Sequence, residues 1–242
     1  MAESLIIIPT YNEKENIKDI ITEIFSLNIE FNILIIDDNS PDGTADIIRN
    51  LQNEYKERLH LINRSKKLGL GTAYLLGFDW ALKKDYNYIF EMDADFSHNP
   101  KDLIRLYNEC SENSTDLAIG SRYIKGISIV NWPMGRLLIS YFASTYVRLV
   151  TRMNIRDTTA GFICYRREVL EKIPLDEIKL RGYGFQVEMK FTAWKYGFKI
   201  SEVPVIFIDR VEGTSKMSGG ILGEAFYGIL RLKWKSFFRK YE

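Results

Sequence analysis

The chain opens with Leu5-Ile6-Ile7-Ile8-Pro9, an unbroken apolar run of the kind a strand shows when both of its faces are buried. Behind it, Ile17, Ile20, Ile21, Ile24 and Phe25 recur on one helical face. Asn12 and Glu15, three residues apart, are placed as a cap and capping box for that helix. Phe31 to Ile36 predicts a second buried strand, and Ile47, Ile48, Leu51 and Tyr55 a second helical stripe. The third strand falls at Leu59–Ile62 and the next helix on Ala73, Leu76, Trp80 and Ala81. Tyr86–Phe90 reads as the fourth strand. A helix over about 100–112 and the strand Asp116–Ile119 close this half. Strands alternating with helices predict right-handed β-α-β units and an α/β fold with a mainly parallel sheet.

The second half is less regular. A helix over about 136–152 carries Arg136, Ser140, Arg148 and Arg152; the last two fit a solvated face. Asp157 is placed to cap a turn before a short strand, Gly182 to Glu188 opens a further helix, and Val203–Ile208 reads as one late strand. Asp209 to Gly220 is a polar loop. No linker interrupts the pattern, so residues 1–220 are expected to form one domain and 221–242 an amphipathic C-terminal helix. On that helix Leu222, Phe226, Leu230, Trp234, Phe237 and Tyr241 share a face, opposite Arg231, Lys233, Lys235, Arg239 and Lys240. Two readings stay open: a helix lying on an anionic membrane surface, or one packing its aromatic face on its own domain.

Composition narrows the function classes. With 242 residues and 46% hydrophobic positions the chain can bury a sizeable core. Its 33 basic and 32 acidic residues nearly cancel, which excludes a global field for nucleic acid. Cys110 and Cys164 form neither a disulfide framework nor a metal spacing, and fit a reducing compartment. No uncharged run is longer than the 11 residues of Leu137 to Val147, where a membrane span needs about 20.

In a parallel α/β sheet ligands sit beyond the carboxyl ends of the strands. Here those ends carry Asn12 and Glu13, Asp37 and Asp38, Arg64, Asp93 and Asp95, and Arg122. Two acids one residue apart at a buried strand end need a cation. Hard carboxylate oxygens suit Mg²⁺ or Mn²⁺ alongside substrate phosphates. There is no Walker lysine motif, no Gly-x-Ser-x-Gly, and only His60 and His98 to support a Ser–His–acid triad. His98 fits a surface histidine at a helix start. The residues therefore point to a metal–diphosphate site outside the P-loop class.

The ordered series Pro9-Thr10-Tyr11-Asn12-Glu13, Asp37-Asp38-Asn39-Ser40-Pro41-Asp42-Gly43-Thr44, Gly69-Leu70-Gly71-Thr72-Ala73, Asp93-Ala94-Asp95, Gly120-Ser121-Arg122-Tyr123 and Asp209-Arg210-Val211-Glu212-Gly213-Thr214-Ser215-Lys216 resembles the dolichol- and polyprenol-phosphate mannosyltransferases. These are family-2 glycosyltransferases with a GT-A type nucleotide-sugar fold. The resemblance implies mannose transfer, with inversion, from GDP-mannose to a polyprenyl monophosphate. It implies that Pro9, Tyr11, Glu13 and Asp38 line the guanosine pocket, with Arg64 and Lys67 nearby. Asp93 and Asp95 would hold the metal on the diphosphate; some relatives have Gln where Ser97 stands here. Arg122, Arg136 and Ser140 would bind the lipid phosphate. Arg210 and Lys216 belong to a loop that closes over the substrate phosphates, and Phe185, Gln186 and Glu188 to a helix start facing the sugar. It also implies a peripheral location on the cytoplasmic face of a membrane, reached through the C-terminal helix or a separate anchoring subunit. The runner-up keeps the fold but takes UDP-glucose or UDP-N-acetylglucosamine as donor, or a saccharide acceptor; a non-catalytic nucleotide-sugar-binding subunit is a third reading. A lipid monophosphate is already largely anionic near neutral pH, so it can attack without a dedicated base. A saccharide acceptor would instead want a poised carboxylate such as Asp157 or Glu188.

Overall fold

The computed structural model of the protein describes residues 3–209 and 219–241, with side chains described except over 219–225. Its centre is a seven-stranded sheet of β1 (Ser4–Thr10), β2 (Phe31–Asp37), β3 (Leu59–Asn63), β4 (Tyr88–Glu91), β5 (Leu117–Ser121), β7 (Ile163–Arg166) and β8 (Ile200–Pro204), in the order β3-β2-β1-β4-β7-β5-β8. All neighbours are parallel except β7, which runs antiparallel to both β4 and β5. A parallel pair of two-residue strands, β6 (Ile129–Val130) and β9 (Phe207–Ile208), stands apart.

The apolar run of β1 is explained by the period-2 alternation of a strand. Leu5 and Ile7 enter one core, with Leu34, Ile36 and helix α3 (Leu70–Leu82). Ile6 and Ile8 enter the other, with helices α1 (Ile17–Phe25), α2 (Thr44–Tyr55) and α4 (Asp102–Glu112). Both faces are thus covered, and neither can tolerate a polar residue in the middle of β1. On the α3 side lie also the short helix α6 (Arg167–Lys172) and α7 (Tyr183–Lys195), with α5 (Met134–Thr151) and α8 (Gly219–Lys235) adding Val147 and Ile229 to the core.

Two expectations about local structure are corrected. Helix α1 begins at Ile17, and Asn12 is not its cap. Asn12 lies in the left-handed region at φ +59° and its N–H donates to Ser40 Oγ at 2.9 Å. The next two amides donate to Thr44 Oγ1 and Asp42 Oδ2 at 3.1 Å each. Segment 12–14 is therefore tied to the β2–α2 loop, and tertiary hydrogen bonds displace the local cap. The late strand also divides. β8 ends at Pro204, the Val205 amide bonds to Ser121 O, and the chain re-forms as β9 against β6.

Helix α8 resolves its own ambiguity by using two faces. Ile229 and Ser236 are buried and Leu232 packs on the core beside α5 and α7. The predicted stripe of Phe226, Leu230, Trp234 and Phe237 points outward. It continues onto α5, where Leu138 and Phe142 are exposed and Tyr146 stacks on Phe226 at 4.4 Å. None of the described helices is long and apolar enough to cross a membrane.

Candidate active site

Strand ends and the loops after them wall a crevice of about 580 Å³. Pro9, Tyr11, Glu13 and Asp38 line one end, with Lys67 across from them. The Lys67 ammonium sits 4.3 Å from the Tyr11 ring centre, a cation–π contact. Asp38 is buried and paired with Arg64. Arg64 lies next to this end, as expected, but supports it from behind and does not itself line the crevice. Its remaining N–H groups reach Thr72 Oγ1 at 2.7 Å and Gly69 O at 3.3 Å, so it ties Asp38 to the start of α3.

Asp93 and Asp95 follow β4 and face the middle of the crevice. The loop is tight: Phe96 lies at φ +58°, and Asp95 accepts both the amide, at 3.1 Å, and the hydroxyl of Ser97. Among the described residues no third His, Cys, Asp or Glu joins the two carboxylates in a group able to hold a metal. That donor set fits a hard divalent ion whose other ligands are phosphate oxygens and water, and fits no closed structural metal centre. His98 is corrected: it is only 6% exposed, not a surface residue. Its ring stacks on Phe162 at 4.8 Å and meets Phe207 edge-on at 5.6 Å. Its Nδ1 accepts the Asp93 amide at 3.3 Å. Burial pushes it down to about 4, so it is neutral at physiological pH.

Behind the acidic loop lies a buried polar network. Glu91 accepts the Tyr165 hydroxyl at 2.9 Å and the Gln186 side-chain amide, while Lys190 Nζ donates to Ala160 O at 2.5 Å and Thr158 O at 3.2 Å. Burial pushes Glu91 up to about 7 and Lys190 down to about 8. Gln186 lines the crevice; Glu188, two residues later, does not. Glu188 instead accepts the Lys179 and Leu180 amides at 2.8 and 2.7 Å, anchoring the loop that carries Leu180 and Arg181 to the rim.

At the other end stands an arginine cluster. Arg122 gives Asp157 its backbone amide at 2.9 Å, Nε at 2.7 Å and Nη2 at 2.6 Å, and reaches Thr159 at 3.0 Å. Burial alone would raise the Asp157 carboxyl, yet the guanidinium holds it below its usual value. Asp157 is thus neither a turn cap nor a poised base; it fixes Arg122. Glu202 in turn accepts the Asp157 amide at 2.9 Å. Nothing in the spacing of Arg122 and Asp157, 35 residues apart, marks them as partners. Arg136 lies 4.1 Å above the Trp132 ring and pairs with Asp209 at 2.8 Å. Arg136 Nε and Trp132 Nε1 are buried donors with no acceptor among the described residues.

Arg122, Trp132 and Arg136 also close one end of a second cavity of about 450 Å³. Its walls are apolar: Leu138, Ile139 and Phe142 of α5, Val187 of α7, and Phe226 and Ile229 of α8. Ser140 lies on this cavity and accepts the Tyr123 hydroxyl at 2.9 Å. Arg210 and Lys216 lie outside the described residues.

A mainly parallel sheet with an acidic pair beyond its fourth strand is the frame of a GT-A type nucleotide-sugar transferase. The model of the glycosyl transferase family 2 matches residues 5–174, and the chain belongs to that family; it is a glycosyltransferase. It is 45% identical over 226 residues to a polyprenol monophosphomannose synthase of Mycolicibacterium smegmatis, covering 93% of this chain and 85% of the relative. It is 44% identical over 227 residues to an undecaprenyl-phosphate mannosyltransferase of Micrococcus luteus, covering 94% and 92%. Among solved structures, glucosyl-3-phosphoglycerate synthase of Mycobacterium tuberculosis with phosphoglyceric acid shares the fold at a TM-score of 0.70 and 13% identity, over 96% of this chain and 80% of that one.

Proposed function

We propose that the enzyme transfers mannose from GDP-mannose to a polyprenyl monophosphate, with a divalent metal on the donor diphosphate. The observation that carries this reading is the shared wall of Arg122, Trp132 and Arg136. Its two arginines line the crevice that carries Asp93 and Asp95 on one side and an apolar cavity on the other. A ligand with an anionic head and a long apolar tail satisfies both sides at once. A saccharide acceptor would leave the apolar cavity unfilled. The names of the two relatives, a polyprenol monophosphomannose synthase and an undecaprenyl-phosphate mannosyltransferase, support the same reading.

Roles follow from position. Tyr11, Glu13, Asp38 and Lys67 bind the nucleoside, with Arg64 holding Asp38. Asp93 and Asp95 hold Mg²⁺ or Mn²⁺, whose chemistry is to neutralise the departing diphosphate; a structure sharing the fold contains Mn²⁺ with UDP-glucose. Arg122 and Arg136 receive the lipid phosphate, and Ser140 stands beside the first isoprene units. The acceptor arrives already ionised, so the chain supplies position and charge rather than a base. Asp157 is engaged with Arg122 and Glu188 with two amides, which suits a reaction needing no carboxylate base. The exposed apolar faces of α5 and α8 are the membrane-contacting surface of a peripheral enzyme, beside the cavity that receives the lipid tail.

The test is release of GDP from GDP-mannose with Mg²⁺ or Mn²⁺ on adding polyprenyl phosphate, run beside UDP-glucose. Lipid-dependent GDP release is expected. Release from UDP-glucose in preference would overturn the donor assignment, and no release with any metal would overturn the reaction.

A further inference from the structure

His98 is buried in the lining of the site, and nothing in the roles above uses it. Its ring is held on two sides by Phe162 and Phe207. Its Nδ1 accepts the Asp93 amide, so Nδ1 carries no proton. In a neutral imidazole the proton must then sit on Nε2, which becomes a donor. That donor has no acceptor among the described residues, yet it is not shut away from the cavity as Arg136 Nε and Trp132 Nε1 are. The residue lines the crevice, as do Asp95 and Arg122. It touches the acidic loop through the Asp93 amide, and the Phe207 ring against its edge also lies 5.5 Å from the Arg122 guanidinium, so His98 neighbours both the acidic loop and the arginine wall.

We infer that His98 is a substrate-contacting residue that gives a neutral Nε2–H hydrogen bond to a phosphate oxygen in the crevice. This rests on the proposed phosphate chemistry of the site. A neutral donor has a use there that a further arginine lacks. It fixes the direction of an oxygen without adding charge beside the metal, and its ring cannot turn because Phe162 and the Asp93 amide hold it. The oxygen belongs either to the donor's diphosphate or to the acceptor's monophosphate, both of the same chemistry.

The chain has only two histidines, His60 and His98, so the imidazole nitrogens can be followed by ¹⁵N NMR in the unaltered protein. His98 is expected in the Nε2–H form without ligand. Its Nε2–H resonance is expected to shift on adding Mg²⁺ with GDP or inorganic pyrophosphate if the diphosphate is the partner. If the lipid phosphate is the partner, a short-chain polyprenyl phosphate is expected to cause the shift. An Nδ1–H form, or no shift with either ligand once binding is saturated, would overturn the inference. Failure of the ligands to bind at all would instead strike the proposed function.

Two variants separate substrate contact from support of the loop. In His98→Gln the amide nitrogen reaches the place of Nε2; in His98→Asn the carbonyl oxygen reaches the place of Nδ1. A hydrogen bond to a charged group corresponds to a fall of about 10- to 100-fold in kcat/KM when lost. That fall is expected for His98→Asn, with His98→Gln within about threefold of the parent. The reverse order would make His98 a support for Asp93 alone.

Discussion

Arg122 is held by three hydrogen bonds to one buried carboxylate, and its usefulness depends on that carboxylate staying charged. Asp157→Asn keeps the shape but leaves the guanidinium buried without its counter-charge. A loss of about 3–5 kcal/mol of stability is expected at neutral pH. The folded-state pKa of Asp157 lies below its ordinary 3.8, so its contribution is fully present above 3.8 and is lost as pH falls below that. Urea unfolding of both proteins from pH 7 down to 3 should show the gap constant above about pH 4 and narrowing beneath it. A gap that widens toward low pH would contradict the pairing. At this scale the sequence was informative where chemistry is local: Asp93 and Asp95 stand together in the chain and together in the crevice. It was silent where two distant residues meet, as with Arg122 and Asp157. It misled at His98, whose place beside a helix start says nothing of the two phenylalanines that bury it.

Among the elements, α3 shows how closely the layers pack. A Cβ on Gly77 would come within 2.7 Å of Ile7 Cγ2 and 2.9 Å of its Cδ1, with Ile36 Cδ1 at 3.1 Å. Those are core atoms of β-branched side chains with no room to move. Alanine would gain about 1 kcal/mol in helix propensity, while overpacking costs about 1–3 kcal/mol. Two clashing atoms place the cost near the upper end, so Gly77→Ala should lower the melting temperature by a few degrees. An unchanged or raised midpoint would show that α3 rides farther from β1 than the structure has it. The elements themselves were largely legible, because β1, β2 and α1 carry patterns that only a doubly covered sheet explains. The failures were at joints. Asn12 is claimed by Ser40 rather than by a helix end, and β8 and β9 divide because each finds a different partner strand.

For the whole molecule, the informative feature is a surface rather than a core. Ile229 and Leu232 dock α8, and Trp234 and Phe238 remain 66% and 76% exposed. Arg231, Lys235 and Lys240 are exposed on the same segment. Sequence pattern alone could not say which face of α8 would dock, since both carry large apolar residues. The double change Trp234→Glu and Phe238→Glu alters only exposed positions. It should leave the melting temperature unchanged and reduce co-sedimentation with anionic vesicles by about tenfold or more, because two aromatic anchors are lost and two negative charges face the anionic surface. Undiminished co-sedimentation would remove α8 from the membrane contact.

The central claim is that one wall of Arg122, Trp132 and Arg136 reads an anionic head on an apolar tail. The direct measurement is where label from [¹⁴C]GDP-mannose goes when the enzyme and divalent metal meet three acceptors in parallel: a polyprenyl monophosphate, the same lipid as the free alcohol, and a soluble mannoside. The account predicts label in the organic extract with the monophosphate alone. Label on the alcohol or on the soluble mannoside at a comparable rate would contradict it.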